Sequence, residues 1–174
     1  MNYIFLDVDG VLNSEKFLKE HLDDDVILDE SKVELLEKLV KATNAKVVLS
    51  SSWRTFFSPK MNVLTSIWTF EPYTRGKELK ELLEKHEINL VGRTKVSRNR
   101  WGDVYDEGLR GDEIEKYIKN HLNENDKFVI FDDEIFSLES SLMRFGDSFI
   151  RTDWKEGLQE KDIEKALNIL EKIV

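Results

Sequence analysis

The fold is decided by the stretch YIFLDVDGVLN at residues 3–13. An apolar run that begins almost at the first residue ends in two carboxylates, Asp7 and Asp9, and then in Gly10. This pattern predicts a buried strand that delivers acidic side chains into a loop. Uncompensated carboxylates beside a buried strand are costly, so they normally have a cation, a hydrogen-bond network or a chemical role. Taken alone, such a pattern is more often a solvated acidic turn, and the rest of the chain decides between the two.

The composition is that of a compact soluble protein with one domain over residues 1–174. The chain has no cysteine, which excludes disulfides, thiolate metal sites and a cysteine nucleophile. No apolar run approaches the roughly 20 residues of a membrane span, and the N-terminus lacks the layout of a signal peptide. We therefore expect a cytoplasmic protein with no membrane partner. The net charge of -9 argues against broad nucleic-acid binding, although not against a local phosphate site.

Four further apolar runs follow the first and alternate with amphipathic helical patterns. The predicted strands cover residues 46–49, 88–91, 127–131 and 148–151, and the predicted helices cover about 15–22, 31–42, 74–86, 112–122, 138–145 and 161–173. This alternation predicts an α/β domain with a mostly parallel sheet of five strands. Functional groups in such sheets gather at the carboxyl ends of the strands.

Polar residues stand at several of these strand ends and at one helix start. They are Asp7 and Asp9 after the first strand, Ser50 after the second, Asp132 and Asp133 after the fourth, and Arg110 at the start of a helix. Carboxylates gathered at one edge repel one another unless a cation lies among them. Because the ligands are oxygens alone, the fitting ion is Mg²⁺, which also takes a substrate phosphate. A serine hydroxyl and an arginine complete a phosphate cradle.

These four motifs, in this order, resemble motifs one to four of the haloacid dehalogenase-like (HAD) hydrolases, which are mostly Mg²⁺-dependent phosphatases. The resemblance spans residues 4–133. It implies a Rossmann-like three-layer α/β/α sandwich with little or no cap domain. It also implies that Asp7 is the nucleophile that forms an aspartyl-phosphate, and that Asp9 is the general acid and then the base.

The same resemblance assigns the remaining roles. Ser50 and Arg110 would hold the phosphoryl group. Mg²⁺ would be bound by Asp7, the backbone carbonyl of Asp9, and Asp132 with Asp133 assisting. Arg75 also opens a helical pattern and competes with Arg110, which we prefer because it lies directly before the fourth-motif strand.

A narrower likeness concerns DVDGVLN at 7–13, SSSWR at 50–54 and RGDEI at 110–114, together with the Gly157-Leu158 pair before the last helix. These segments resemble the phosphatase-like domains of modular RNA-repair proteins and the phosphatase half of polynucleotide kinase-phosphatases. The likeness implies a phosphorylated partner such as a nucleotide or an RNA or DNA end.

The spacing of the motifs leaves room for two modest insertions or lid loops, at 53–72 and 93–109, so we expect an open site that admits a bulky phosphoester. The candidate substrate-binding residues are Ser51, Arg54, Arg98, Arg100 and Trp101, with Trp53 and Tyr105 as further candidates for stacking. For Trp53 and Trp101, plain packing is an equal alternative.

Three other functions stay open at this point. A small-metabolite phosphatase and a phosphotransferase would use the same motifs. A non-catalytic phosphate-binding or protein-interaction module would keep the fold for recognition alone, but it would not need both Asp7 and Asp9. The sequence does not predict the exact substrate, a preference for 3′ or 5′ phosphates, or the oligomeric state.

Overall fold

The computed structural model describes residues 1–23, 26–57, 70–95, 110–134 and 141–171. Five strands form one sheet. They are β1 (Asn2–Leu6), β2 (Lys46–Leu49), β3 (Leu90–Arg93), β4 (Lys127–Asp132) and β5 (Phe149–Arg151). All four neighbouring pairs are parallel and the spatial order is β3-β2-β1-β4-β5, which confirms the predicted α/β fold with a parallel sheet.

Helices cover both faces of this sheet. They are α1 (Glu15–Glu20), α2 (Glu30–Thr43), α3 (Phe70–Lys85), α4 (Arg110–His121) and α5 (Glu160–Leu170). Successive side chains of a strand point to opposite faces. Along β1, Ile4 and Leu6 therefore join the core formed with α2, α3 and α5, whereas Tyr3 and Phe5 pack on the α4 side. The result is the Rossmann-like three-layer α/β/α sandwich.

Two helix starts follow from local chemistry. Asp29 is the N-cap of α2, because its side chain accepts a hydrogen bond from the Ser31 backbone N–H at 3.0 Å. The helix α3 begins at Phe70, four residues earlier than predicted, with Pro72 in its first turn. Proline is tolerated there because the first turn of a helix has no internal acceptor for an N–H.

Some predicted boundaries differ from the observed ones. The edge strand β3 begins at Leu90 and not at Ile88, which is buried in the connection from α3. A 3₁₀ turn at Met143–Ser148 lies where the end of a helix was predicted, and α5 ends at Leu170. The centres of the two predicted insertions, 58–69 and 96–109, lie outside the described residues, so the lid loops stay a prediction. In the described part of the chain, no helix is sufficiently long and apolar to cross a membrane.

The strand order places the functional edge. The chain moves outward from β1 to β2 and β3, and then returns to β4 on the other side of β1. Leu6, the last residue of β1, is level with Leu49 on β2 and Phe131 on β4. The residues that follow these three positions therefore emerge side by side at the point where the strand order reverses, which is where open α/β sheets bind ligands.

Candidate active site

Asp7 is the first residue beyond β1 and is held firmly at the edge of the sheet. Its backbone N–H donates to the Phe131 carbonyl at 3.0 Å, so it continues the ladder with β4. Its Oδ1 accepts a hydrogen bond from the Val8 N–H at 2.8 Å. The residue is only 3% exposed. Local hydrogen bonding therefore fixes the orientation of this carboxylate before any ligand arrives.

Arg110, the first residue of α4, bridges two strand ends. Its Nη1 lies 2.5 Å from Asp7 Oδ2 and 2.6 Å from Asp132 Oδ2. Three motifs that are distant in sequence thus meet through one guanidinium group. The competing Arg75 is exposed and lies inside α3, away from the helix start at which it was predicted. The structure brings Arg110, and not Arg75, to Asp7.

Three carboxylates form a compact acidic cluster, and we call Asp7, Asp132 and Asp133 by that name. Each offers an oxygen, and these atoms lie within 4.8 Å of one another. Burial, and then the charge of Asp7, raise the pKa of Asp132 to about 8 even though Arg110 opposes the change. The same two causes raise the pKa of Asp133 to about 6. The cluster therefore holds more negative charge than one arginine offsets.

The acidic cluster fits a divalent cation. Its donors are oxygens alone, the ligands that Mg²⁺ prefers, and a bound cation would supply the missing positive charge. Gly10 allows the Asp133 carboxylate to lie close to the backbone, because a Cβ at position 10 would collide with that carboxylate. The backbone of Gly10 also has φ +69°, which favours glycine. The carboxylate of Asp9 lies outside the cluster. Metal binding through the Asp9 backbone carbonyl stays a prediction.

Ser50 follows β2 at the same edge. Its backbone N–H donates to the Leu6 carbonyl at 2.9 Å, which places it beside Asp7. Its hydroxyl is buried and has no hydrogen-bond partner among the described residues. A buried hydroxyl normally has a partner, because leaving it unpaired costs free energy. An incoming phosphoryl oxygen would supply one.

Asp9 is exposed, but its carboxylate is bonded on both oxygens. The indole Nε1 of Trp53 donates to Oδ2 at 2.9 Å, and the amide of Asn13 donates to Oδ1 at 3.0 Å. Asp9 thus lies two residues from Asp7, with its side chain directed toward a different set of partners. This separation suits two carboxylates with different chemical roles.

The predicted substrate-binding residues have mixed placements. Arg54 is buried, donates to Glu113 Oε2 at 2.6 Å, and donates to the carbonyls of Ser50 and Ser51 at 2.8 and 2.7 Å. Ser51 is also buried, and its hydroxyl accepts from the Trp53 N–H at 3.3 Å. These contacts support the end of β2, and substrate contact by either residue stays a prediction. The other three candidates, Arg98, Arg100 and Trp101, lie outside the described residues.

Comparison with known families agrees with this geometry. A family model described as the HAD domain in Swiss Army Knife RNA repair proteins matches residues 3–163. The chain belongs to this family. Neither a search of curated proteins nor a search of solved structures returned a match. Membership confirms the predicted resemblance to HAD domains of RNA-repair proteins, and it supports a phosphatase-type hydrolase, a class that generally uses a divalent metal.

Sequence reasoning did not predict how four residues support this HAD site. Asn13 and Trp53 hold Asp9, Glu113 pairs with Arg54, and the hydroxyl of Thr152 donates to the Gly10 carbonyl at 2.8 Å. Asn13 and Trp53 lie within the DVDGVLN and SSSWR segments, so the sequence indicated their positions but not the residues that they contact. Thr152 follows the last strand by one residue, which is the same signal that identified Ser50.

Proposed function

We propose that this protein is a Mg²⁺-dependent phosphomonoester hydrolase that works through an aspartyl-phosphate and acts on a nucleotide or a nucleic-acid end. The observation that carries the proposal is the meeting of Asp7, Asp132, Asp133 and Arg110 at one sheet edge, beside a Ser50 hydroxyl that has no hydrogen-bond partner within the described ranges of the chain. A nucleophile, cationic groups and a hydroxyl donor are what transfer of a phosphoryl group requires.

In the first step, an oxygen of Asp7 attacks phosphorus and the bond from phosphorus to the ester oxygen breaks. Asp9 donates its proton to the departing oxygen, so that an alcohol leaves and not an alkoxide. Arg110 and Ser50 hold the phosphoryl oxygens during the transfer. The product on the protein is a mixed anhydride of Asp7 and phosphate.

In the second step, water attacks the phosphorus of this anhydride. Asp9, now a carboxylate, takes a proton from the water as the bond to Asp7 breaks. Inorganic phosphate leaves and the Asp7 carboxylate is restored. A divalent cation held by Asp7, Asp132 and Asp133, with the Asp9 carbonyl, would offset negative charge on the acids and on the phosphoryl group when bound.

The class of substrate is supported by the family and by the spacing of the motifs. The family description refers to RNA repair proteins, and the open site predicted from that spacing would admit a bulky phosphoester. The net charge of -9 favours recognition of a terminal phosphate over contact with a long polynucleotide. Four side chains are proposed to contact the remainder of the substrate, namely Ser51, Arg98, Arg100 and Trp101, whereas the buried Arg54 supports the end of β2.

The first experiment tests the nucleophile. Asp7→Asn is expected to abolish Mg²⁺-dependent hydrolysis of para-nitrophenyl phosphate while the circular dichroism spectrum stays unchanged, because an amide is a much weaker nucleophile. Asp147→Asn is the matched control, since Asp147 is exposed and lies before β5, at the opposite end of that strand from the site. Full activity of the Asp7 variant would overturn the mechanism.

The second part of the test identifies the substrate class. Release of inorganic phosphate is measured from mononucleotides and from oligonucleotides that carry 3′ or 5′ phosphates. A strong preference for small sugar phosphates would favour the small-metabolite phosphatase, and transfer to an added alcohol would favour the phosphotransferase. Binding of phosphate esters without hydrolysis would favour the non-catalytic module.

A further inference from the structure

The proton-transferring residue of the proposed mechanism is fastened by two neighbours. Asp9 Oδ2 accepts from the Trp53 indole at 2.9 Å, and Oδ1 accepts from the Asn13 amide at 3.0 Å. Asn13 is itself fixed, because its Oδ1 accepts from the Gly10 N–H at 2.9 Å. The carboxylate of Asp9 therefore has a defined plane although the residue is exposed.

The two neighbours are rigid supports. Trp53 is 3% exposed and belongs to the main core, within the 3₁₀ turn Ser52–Phe57 that directly follows the Ser50 strand end. Asn13 is also 3% exposed. A large buried ring has little freedom to move in a close-packed interior. The indole N–H of Trp53 is therefore a fixed hydrogen-bond donor for the exposed carboxylate of Asp9.

We infer that Trp53 is a positioning residue, which through its indole N–H orients Asp9 for proton transfer to the leaving oxygen. This role rests on the proposed function and goes beyond it. It goes beyond the plain packing of Trp53, which its burial in the core confirms, and it differs from the predicted stacking on the substrate. Orientation of a catalytic group matters because proton transfer needs the donor within hydrogen-bond reach of the reacting atom.

The choice of leaving group isolates this role. An alkyl alcohol leaves poorly as an alkoxide, so its ester depends on the proton from Asp9. The para-nitrophenolate anion leaves readily without a proton. Loss of orientation at Asp9 therefore slows the alkyl ester more than the aryl ester, whereas general damage to the fold slows both equally.

The test measures kcat/KM for a nucleoside monophosphate and for para-nitrophenyl phosphate at saturating Mg²⁺. This parameter reports the steps up to the first irreversible transfer, so the later use of Asp9 as a base does not enter. Trp53→Phe keeps an aromatic ring in the core and removes the N–H. Losing a hydrogen bond to a group that becomes charged as it gives up its proton is expected to lower kcat/KM for the nucleotide about 10–100-fold. The value for the aryl ester should change about 3-fold or less.

Three controls separate orientation from packing. Benzothienylalanine at position 53 keeps the shape of tryptophan without the N–H and should reproduce the Trp53→Phe ratio. Trp154→Phe, in the turn after β5, should leave the ratio unchanged. In an Asp9→Asn background, Trp53→Phe should not change the ratio further, because the two residues act as one unit.

The outcomes separate the positioning role of Trp53 from the proposed hydrolase function on which it rests. Equal losses on both esters, or no loss with the benzothienyl side chain, would overturn the positioning role and leave the hydrolase standing if Asp7→Asn is inactive. An active Asp7→Asn variant, or a wild-type protein that hydrolyses neither ester, would remove the proposed function and the positioning role together.

Discussion

Two arginines beside the candidate site pair with carboxylates in very different surroundings. The Arg54 side chain is 1% exposed and its partner Glu113 is 3% exposed, at a separation of 2.6 Å. Arg110 is 16% exposed and is shared by Asp7 and Asp132. The first arginine meets a matching charge inside the protein. The second faces an acidic cluster with more charge than it offsets.

The difference separates a structural charge from one that we propose acts on the substrate. Arg54 also donates to the Ser50 and Ser51 carbonyls, so it ties the end of β2 to Glu113 on α4. Arg110 lies one turn away on the same helix. The buried pair thus fixes the frame from which Arg110 reaches the acidic cluster. Arg110 itself is exposed enough to redirect hydrogen bonds to an arriving phosphate.

The largest expected effect is on stability and comes from the buried pair. Arg54→Met removes the arginine partner of the buried Glu113 carboxylate, so we expect the free energy of unfolding to fall by about 3–5 kcal/mol. Urea unfolding measures the change. Lys38→Met is the control, because Lys38 pairs with Glu160 at 3.0 Å on the surface, and exposed pairs contribute little.

The double variant Arg54→Met with Glu113→Leu sharpens the result. Replacing both partners removes the buried charge, so part of the stability should return. Recovery should be incomplete because the Ser50 and Ser51 carbonyls have lost their donor. A single Arg54 variant as stable as the wild type would show that the pair is not structural.

The second effect is on catalysis. Arg110→Ala should lower kcat/KM about 10²–10³-fold, the usual result of removing one group that stabilises transition-state charge. Arg110→Lys should keep part of the activity, because lysine retains the charge but loses the planar fork. If the Ala variant instead unfolds like Arg54→Met while its folded fraction keeps full kcat, the two arginines have the opposite roles.

The sequence predicted the parts of this comparison that depend on local pattern. Asp7, Ser50 and Asp132 could be placed because each follows a point where an apolar run stops, and the register of a parallel sheet brings such points together. Arg110 could be placed because it opens an amphipathic helix. The edge strand β3 was predicted two residues early, because its burial alternates and the fully buried Ile88 lies just outside it.

The sequence could not predict which partner each charge would meet. Arg54 was assigned to substrate, since charged side chains are mostly exposed, and its pairing with Glu113 was not predicted. Their pairing joins residues 59 apart, and the bond from Trp53 to Asp9 joins residues 44 apart. Such contacts depend on the order of strands in the sheet and on the depth of each turn, and neither quantity has a local signature.

The third and smallest effect concerns a charge network between α2 and the residue that follows α3. His86 follows α3 and faces α2, with Nδ1 2.7 Å from Glu37 Oε2 and Nε2 2.9 Å from Glu30 Oε1. The hydrogen bond to Glu37, with that to Glu30, raises the pKa of His86. The same carboxylates also contact lysines, through the pairs Lys85–Glu30 and Lys41–Glu37, and Lys41 pairs with Glu87 as well.

A raised pKa in the folded state fixes the sign of the pH dependence. The contribution of protonated His86 is fully present below the unfolded pKa of 6.5 and is lost as pH rises through the higher folded value. The free energy of unfolding should therefore fall as pH rises. Urea unfolding at intervals from about pH 6 to about pH 9, a range that includes the ordinary histidine pKa and the values above it, measures the fall. In His86→Gln this part of the fall should disappear. The control is His121→Gln, at a histidine whose ring lies tilted against Tyr117, and this variant should keep the wild-type slope. A His86→Gln profile that matches the wild type would show that the network between α2 and α3 does not depend on the imidazolium. In its contribution to stability, the network would then resemble the exposed Lys38 pair and not the buried Arg54 pair.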